Sequence, residues 1–308
     1  MIQALKGVRH VTSGTMKQAV TELCVPVPWG EIRGKVWGPD HGRPVLCLHG
    51  WADNCGTFNK LLPLLPKDFR YFAVDLAGHG CSSHRPPGVL YAFPSYVMDV
   101  RRVVDALQLS KFSIIGHSMG DALYPEMVDA LVLLDSYGFL PTDPVFSPTL
   151  QRLSQLNSYK VENKKTRVYT YEKAVERLLA GNPSLTEESA KILLERGLVK
   201  VEGGVLFSRD FRINLTNVVR ISLEQSLGLQ SSIQASVLGP TCEFILPDCF
   251  CQESCHVSVF QNTVVQVPGD HHVHLNNPEV VAPLVSEFLQ NKALSASAGS
   301  DDAHPPKL

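Results

Sequence analysis

Short apolar runs alternate with amphipathic segments through the first half of the chain. The apolar runs occupy residues 44–50 (PVLCLHG), 71–75 (YFAVD), 112–118 (FSIIGHS) and 131–135 (LVLLD). Continuous apolar runs of this length are typical of strands that are buried on both faces of a parallel sheet. Between them, residues 57–66 have helical spacing, and residues 95–109 place apolar side chains along one helical face. The alternation predicts an α/β fold with a mostly parallel sheet and helices on both faces.

The second half of the chain changes character and then returns to the first pattern. Charged helical stretches dominate residues 138–230, and one of them, 185–199, begins with acidic side chains that favour a helix N-terminus. A strand is predicted again at 263–269 and an amphipathic helix at 278–290. We therefore expect a helical lid, at about 138–230, inserted between two strands of the sheet.

These patterns divide the chain into three parts. Residues 1–21 are an N-terminal extension, residues 22–292 form the α/β domain, and the small, polar residues 293–308 are predicted to be disordered. The domain opens with a hairpin at 22–38. The N-terminus lacks the apolar core of a secretory signal, and no apolar run is long enough to span a membrane. We expect a reduced, intracellular protein without a transmembrane segment.

Composition and charge narrow the range of partners. The 308 residues are 44% hydrophobic, so a large core can form. A formal charge of −2 argues against nucleic acid as a partner. Four of the eight cysteines crowd into residues 242–255, but they lack the paired C-x-x-C spacing of zinc sites. No metal and no cofactor is therefore predicted.

The strongest chemical motif is Gly116-His117-Ser118-Met119-Gly120, which follows a predicted buried strand. A nucleophile elbow must turn from strand to helix within a few residues, and it holds its serine in a strained backbone conformation. Bulky neighbours two residues away on either side would clash, and glycine removes the clash. The motif therefore predicts that Ser118 is a nucleophile.

A second motif, His49-Gly50-Trp51, follows the first parallel strand. In a fold with a nucleophile elbow, the loop at this position donates one backbone N–H to an oxyanion, and the residue after the nucleophile donates the other. The amides of Trp51 and Met119 are therefore the predicted oxyanion donors.

The base is sought in the loop between the last strand and the last helix. Three histidines compete there, and His271 follows the strand at the position that the chain order serine, acid, histidine requires. We interpret His272 and His274 as surface histidines.

Several aspartates are candidates for the acid that orients this base. Asp135 ends the strand after the elbow, and Asp248 follows the stretch in which the penultimate strand is expected. Asp75 and Asp53 also lie near strand ends, and any of the four can simply cap a turn.

The motifs together resemble a known family. The strings that carry the resemblance are VPWGEIRGKVWG, PVLCLHGWADN, AVDLAGHGCSSH, GHSMG, PEMVDALVLLD and VPGDHHVHLNNPE. They are similar to the α/β-hydrolase fold and, more narrowly, to the vertebrate serine hydrolase-like proteins, over residues 22–290. The resemblance implies Ser118 as nucleophile, His271 as base and Asp248 as the acid after the penultimate strand. It also suggests a peroxisomal or vesicular location, whereas the small-molecule acyl substrate is predicted from the serine chemistry.

The chain departs from the family pattern just after the elbow. About seven residues are absent, and only twelve remain between Ser118 and the strand predicted at 131–135. A crossover between parallel strands needs roughly a dozen residues or more, helix included. Pro125 also prevents a helix from continuing unkinked through this segment. A second departure, Gly239-Pro240, is expected to interrupt the penultimate strand.

Two functional hypotheses follow. The first is a serine hydrolase that cleaves an ester or a thioester through an acyl-enzyme. The second is a catalytically impaired isoform that acts as a binding or interaction protein, because the elbow has lost support from the helix behind it.

The last three residues, Pro306-Lys307-Leu308, resemble a peroxisomal import signal of the S-K-L type. Lys307 supplies the cation and Leu308 the apolar end, so a peroxisomal import receptor is a predicted partner. We expect a location in peroxisomes or perinuclear cytoplasmic vesicles, and otherwise in the cytosol.

Overall fold

The computed structural model describes residues 20–119, 127–136, 167–214, 222–242 and 262–298. Within these ranges, eight strands form one sheet in the order β1-β2-β4-β3-β5-β6-β9-β10, and β7 and β8 form a separate hairpin. The strands are β1 (Val20–Val27), β2 (Gly30–Trp37), β3 (Arg43–Leu48), β4 (Phe69–Val74), β5 (Phe112–His117), β6 (Val128–Leu134), β7 (Leu198–Val201), β8 (Gly204–Phe207), β9 (Ser236–Thr241) and β10 (Asn262–Gln266).

Helices connect and cover these strands. They are α1 (Phe93–Ala106), α2 (Tyr171–Gly181), α3 (Glu187–Gly197), α4 (Leu223–Ser231), α5 (Val273–Asn276) and α6 (Ala282–Ala298). The segment 57–66, predicted as helical, contains only the end of one short 3₁₀ turn, Cys55–Phe58, and the whole of another, Leu62–Leu64. Pro63 is the second residue of the latter turn, and it cannot donate the backbone hydrogen bond of an α-helix that runs through it.

The sheet is mostly parallel, as the alternation predicts. Strands β3 to β6, β9 and β10 pair in parallel, and the antiparallel hairpin β1-β2 lies at one edge. Side chains alternate between the two faces of the sheet. On one face, Leu46 packs in the same core as Val100 of α1. On the other face, Val45 packs in the same core as Val285 of α6. Helices therefore cover both faces.

The connection behind the elbow is shorter than the sequence predicts. Strand β6 begins at Val128, three positions before the predicted start, and it runs parallel to β5, its direct neighbour. Only residues 118–127 join the end of β5 to the start of β6. Residues 120–126, which include the elbow glycine Gly120 and Pro125, lie outside the described residues.

The predicted interruption of the penultimate strand is wrong. Strand β9 runs through Gly239 and Pro240, and Pro240 pairs with Val265 of β10. The pairing of β9 with β6 ends at Leu238, two residues before Pro240. The ladder between these two strands therefore does not require the N–H group that Pro240 lacks. Its carbonyl accepts a hydrogen bond from the amide of Asp135 at 2.9 Å, which keeps the strand attached to the end of β6.

The described part of the predicted lid contains α2, α3 and α4. Helices α2 and α3 begin at Thr170 and Thr186, whose hydroxyls accept hydrogen bonds from amides in the first helical turn, as N-caps do. The hairpin β7-β8 within this region was not predicted. At the other end of the chain, α6 continues past the predicted boundary at residue 292 to Ala298.

Two expectations concern membranes and location. In the part of the chain that the structure describes, no helix has the length and apolar character needed to cross a bilayer. Lys307 and Leu308 lie outside the described residues, so the import signal stays a prediction.

Candidate active site

Ser118 lies one residue beyond the end of β5 and adopts a left-handed backbone conformation, with φ of 53°. This conformation is costly for any residue other than glycine, and it is held by neighbours. The amide of Ser118 donates to the carbonyl of Leu134 at 3.2 Å, and the Ser136 hydroxyl donates to the carbonyl of Ser118 at 2.7 Å. Gly116 lies inside β5, paired with Leu133. The strained serine at the end of a buried strand matches the predicted elbow.

The predicted oxyanion loop lies directly against the elbow. A Cβ atom added at Gly50 would stand 3.0 Å from Cβ of Ser118 and 2.9 Å from Nδ1 of His117, so only glycine fits between them. This contact brings the next amide, that of Trp51, beside the nucleophile. In the described part of the chain neither this amide nor that of Met119 donates to another group. Among the described residues, nothing competes with a ligand for the two predicted donors.

Two buried histidines hold the backbone of this loop. His49 Nε2 accepts from the amide of Leu76 at 2.9 Å, so its Nδ1 carries the proton and donates to the carbonyl of Gly50 at 2.7 Å. The amide of Ala52, which has a φ of 69°, donates to His79 Nε2 at 3.3 Å. Burial lowers the pKa of His49 and of His79, which keeps both rings neutral near pH 7. The role of His79 was not predicted, although it lies in the glycine-rich turn after β4.

The predicted base makes a short contact with a carboxylate. His271 Nδ1 lies 2.7 Å from Asp135 Oδ2, and the Asp135 side chain is fully buried. Its second oxygen accepts from the amide of Cys242 at 3.0 Å. Since an ionised carboxylate only accepts hydrogen bonds, Nδ1 of His271 donates, and Nε2 carries the lone pair that a base requires.

The carboxylate that contacts His271, the predicted base, belongs to Asp135, which was the alternative candidate for the acid. Asp248, the first choice, lies outside the described residues. Asp75 is excluded as the acid by its partners, because its carboxylate accepts from Nε of Arg196 at 2.9 Å and from the amides of Cys55 and Cys81 at 2.8 Å each. Among the described aspartates, the one in contact with Nδ1 of His271 is Asp135.

His271 is joined to the elbow through His117. His117 Nε2 donates to the carbonyl of His271 at 2.9 Å, and the two rings lie 4.7 Å apart. Among the described residues, no hydrogen bond joins the Ser118 hydroxyl to His271. Such contacts are often long in enzymes without substrate and shorten in the reacting complex.

The interpretation of His272 and His274 as surface histidines is wrong. Both are buried, at 4% and 0% exposure; His272 immediately precedes α5 and His274 lies within it. His274 Nε2 lies 2.8 Å from the hydroxyl of Thr57, and its ring lies 4.2 Å from that of His117. Burial lowers the pKa of His117 and of His274, so these two rings are neutral near pH 7.

The described lid rests on the oxyanion loop. Nδ2 of Asn54 donates to the carbonyl of Leu193 in α3 at 2.8 Å. The indole of Trp51 donates to the carbonyl of Ile213 at 3.0 Å, and Arg209 donates to the carbonyl of Ala52 at 3.2 Å. The lid therefore contacts the loop that carries one of the two predicted oxyanion donors.

Comparison with known proteins places these features in a family. Residues 43–180 match a model described as the alpha/beta hydrolase fold. A serine hydrolase-like protein of Danio rerio is 54% identical over 308 residues, which cover 94% of this chain and 94% of the relative. The chain belongs to the serine hydrolase-like proteins of the α/β-hydrolase fold. Membership of this serine hydrolase-like family supports a hydrolase function.

Solved structures agree with the fold of this serine hydrolase-like chain. A hypothetical protein of Pseudomonas aeruginosa has a TM-score of 0.76 at 30% identity and covers 89% of this chain and 99% of its own. A thioesterase domain from the curacin biosynthetic pathway has a TM-score of 0.74 at 25% identity and covers 87% and 99%.

Proposed function

We propose that the protein is a serine hydrolase that cleaves small-molecule esters or thioesters through an acyl-enzyme. The observation that carries the proposal is the 2.7 Å contact between His271 Nδ1 and Asp135 Oδ2, made beside a strained Ser118. Asp135 fixes the tautomer in which Nε2 of His271 is free to accept a proton. A serine, a correctly tautomerised histidine and a buried carboxylate are the parts that acyl transfer needs.

Acylation begins when Oγ of Ser118 attacks the carbonyl carbon of the substrate. The hydroxyl proton passes to Nε2 of His271, and the positive ring is stabilised by Asp135. The new C–O bond converts the carbonyl oxygen into an oxyanion, which the amides of Trp51 and Met119 hold. Collapse of this intermediate breaks the bond to the alcohol or thiol, which leaves with the proton from His271.

Deacylation repeats these steps with water. His271 Nε2 takes a proton from water, the resulting oxygen nucleophile attacks the acyl carbon, and the same two amides hold the second oxyanion. The bond to Oγ of Ser118 then breaks, and the serine regains its proton from His271. The carboxylic acid leaves and the protein returns to its starting state.

The nucleophile restricts the substrate class. Dehalogenases and epoxide hydrolases of this fold use a carboxylate nucleophile, and Ser118 stands at that position here. The likeness to a thioesterase domain supports acyl thioesters beside carboxylic esters as substrates.

The proposal is tested with a fluorophosphonate probe, which labels only an activated serine. We expect the folded full-length protein to be labelled and Ser118→Ala to lose the label. The matched control is Ser222→Ala, which removes the hydroxyl of an exposed serine and should label like the wild type. Undiminished labelling of folded Ser118→Ala would refute Ser118 as the nucleophile.

A second function is favoured by one observation, the ten-residue connection 118–127 between parallel neighbouring strands. A chain that cannot hold its elbow rigid would keep the fold and bind acyl compounds without turning them over. A wild-type protein that is folded by circular dichroism, binds short acyl esters and resists the probe would favour this second function over the first.

A further inference from the structure

Three buried side chains meet directly behind the nucleophile. Oδ2 of Asp53 lies 3.5 Å from Nδ1 of His117 and 3.4 Å from Nε2 of His272. All three atoms lie within 4.8 Å of one another, and the side chains are 8%, 1% and 5% exposed. Sequence reasoning did not find this group, since its members come from three distant segments.

The polar atoms of this group do not satisfy one another's hydrogen-bonding capacity. His117 donates its Nε2 proton to the carbonyl of His271, so Nδ1 of the neutral ring holds a lone pair. That lone pair faces a carboxylate oxygen, and within the described ranges neither Nδ1 of His117 nor Oδ2 of Asp53 has a hydrogen-bond partner. Two buried acceptors that face each other without a proton are costly, and each such group calls for a missing partner.

The third member, His272, places its Nε2 against the same oxygen of Asp53. Nδ1 of His272 lies 3.2 Å from the hydroxyl of Ser184, which accepts the ring proton in one tautomer and donates to Nδ1 in the other. In the first tautomer, Nε2 of His272 directs a lone pair at Asp53, which is the form that binds a metal ion. A hydrogen bond to the second ring nitrogen is typical of histidines that bind a metal.

We propose that Asp53, His117 and His272 bind one divalent transition-metal ion, and that the ion is Zn²⁺. Zinc takes imidazole nitrogen and carboxylate oxygen at about 2.0–2.2 Å, so two ligands at the tetrahedral angle lie about 3.3–3.5 Å apart. The two contacts of Asp53, at 3.4 and 3.5 Å, have this separation. Three protein ligands leave a fourth position for water or another small ligand.

A metal in this position ties together the three segments that build the active site. Asp53 follows the oxyanion loop, His117 precedes the nucleophile, and His272 follows the base. The ion fixes the relative position of these segments, so its binding stabilises the folded protein by mass action. The inference does not rest on the proposed hydrolase activity, since metal binding is measured without a substrate.

The test is a titration of the chelator-treated, full-length protein with Zn²⁺ by calorimetry and with Co²⁺ by visible absorption. We expect one strong site in the wild type and a higher melting temperature when Zn²⁺ is present. Asp53→Asn and His272→Gln should each raise the dissociation constant on the order of a hundredfold or more, since even outer-shell changes cost 10–100-fold. The control is His41→Gln, which removes an exposed histidine and should bind like the wild type.

Binding of the added metal by the cysteines at 242–255 is the competing outcome, and the Co²⁺ spectrum separates the two. Thiolate ligands give charge-transfer absorption in the near ultraviolet, whereas nitrogen and oxygen ligands do not. A thiolate spectrum, unchanged affinity in His272→Gln, or a wild type that binds no Zn²⁺ would each overturn the proposal. If Asp53→Asn does not fold by circular dichroism, His272→Gln decides alone.

Discussion

The contact between His271 and Asp135 predicts the consequence of one conservative substitution, Asp135→Asn. The wild-type carboxylate accepts two hydrogen bonds, from the amide of Cys242 at 3.0 Å and from His271 Nδ1 at 2.7 Å. An asparagine keeps the shape of the side chain but replaces one acceptor by a donor. Its oxygen must face the Cys242 amide, because two donors cannot face each other. Its NH₂ group therefore faces Nδ1 of His271.

This arrangement selects the wrong form of the base. His271 must accept at Nδ1 and carry its proton on Nε2, so it cannot take the proton of Ser118. The same change in other serine–histidine–aspartate sites lowers kcat by about 10⁴-fold. We expect kcat/KM of Asp135→Asn to fall by about 10³- to 10⁴-fold, which corresponds to about 4–5.5 kcal/mol of transition-state stabilisation. Circular dichroism should show an unchanged fold.

The assay is hydrolysis of short-chain p-nitrophenyl esters by purified protein, with the initial rate measured against substrate concentration. The matched control is Asp248→Asn, which makes the same chemical change at the acid that the family resemblance implies. We expect the control to retain most of its activity. A folded Asp135→Asn that keeps wild-type turnover, together with a loss in Asp248→Asn, would refute the assignment of Asp135 as the acid.

Three further predictions test the surroundings of the site. Gly50→Ala pushes the oxyanion loop away from Ser118, so kcat should fall by about 10²-fold; unchanged kinetics would refute the close contact. Arg196→Met leaves the buried Asp75 without its cation and should lower the free energy of unfolding by about 3–5 kcal/mol; an unchanged urea midpoint would contradict this. Insertion of about seven small and apolar residues after Gly120 should raise the melting temperature and the probe labelling; no change in either would show that the short connection is harmless.

The central part of the sheet could be predicted from the sequence because its strands, such as β3 and β5, are buried on both faces. Such strands appear as continuous apolar runs, and the runs at 44–50, 71–75 and 112–118 correspond to β3, β4 and β5. Strand β9 was harder to predict, since Pro240 is compatible with a strand only where one ladder has already ended. That information lies in the register of three strands and not in the local sequence.

The sequence singles out one candidate for the nucleophile and one for the base, but several for the acid. Ser118 and His271 each occupy a position that chain order defines, whereas Asp135 and Asp248 both follow a predicted strand. What distinguishes Asp135 is its buried contact with His271 across 136 positions of the chain, which no local pattern records. The same reason explains why the burial of His272 beside Asp53 was missed.

The short connection behind the elbow disables the site only if it disturbs the contacts that β6 makes with Ser118 and His271. The connection enters β6 at Val128, where the register with β5 shifts and Asp129 is left as an extra residue. Asp129 is held there by the Ser113 hydroxyl at 2.7 Å and by Arg43 at 3.0 Å, so the irregularity is confined to the start of the strand.

The contacts that hold the active site lie at the opposite end of β6. The carbonyl of Leu134 accepts from the amide of Ser118, and the hydroxyl of Ser136 donates to the carbonyl of Ser118. Between them, Asp135 binds the ring of His271. Between the two ends, β6 is paired with β5 on one side and with β9 on the other. Because these pairings fix β6 along its length, the irregularity at its start does not displace the contacts at its other end. Contacts from β6 therefore support the elbow, which favours the active hydrolase over the impaired form.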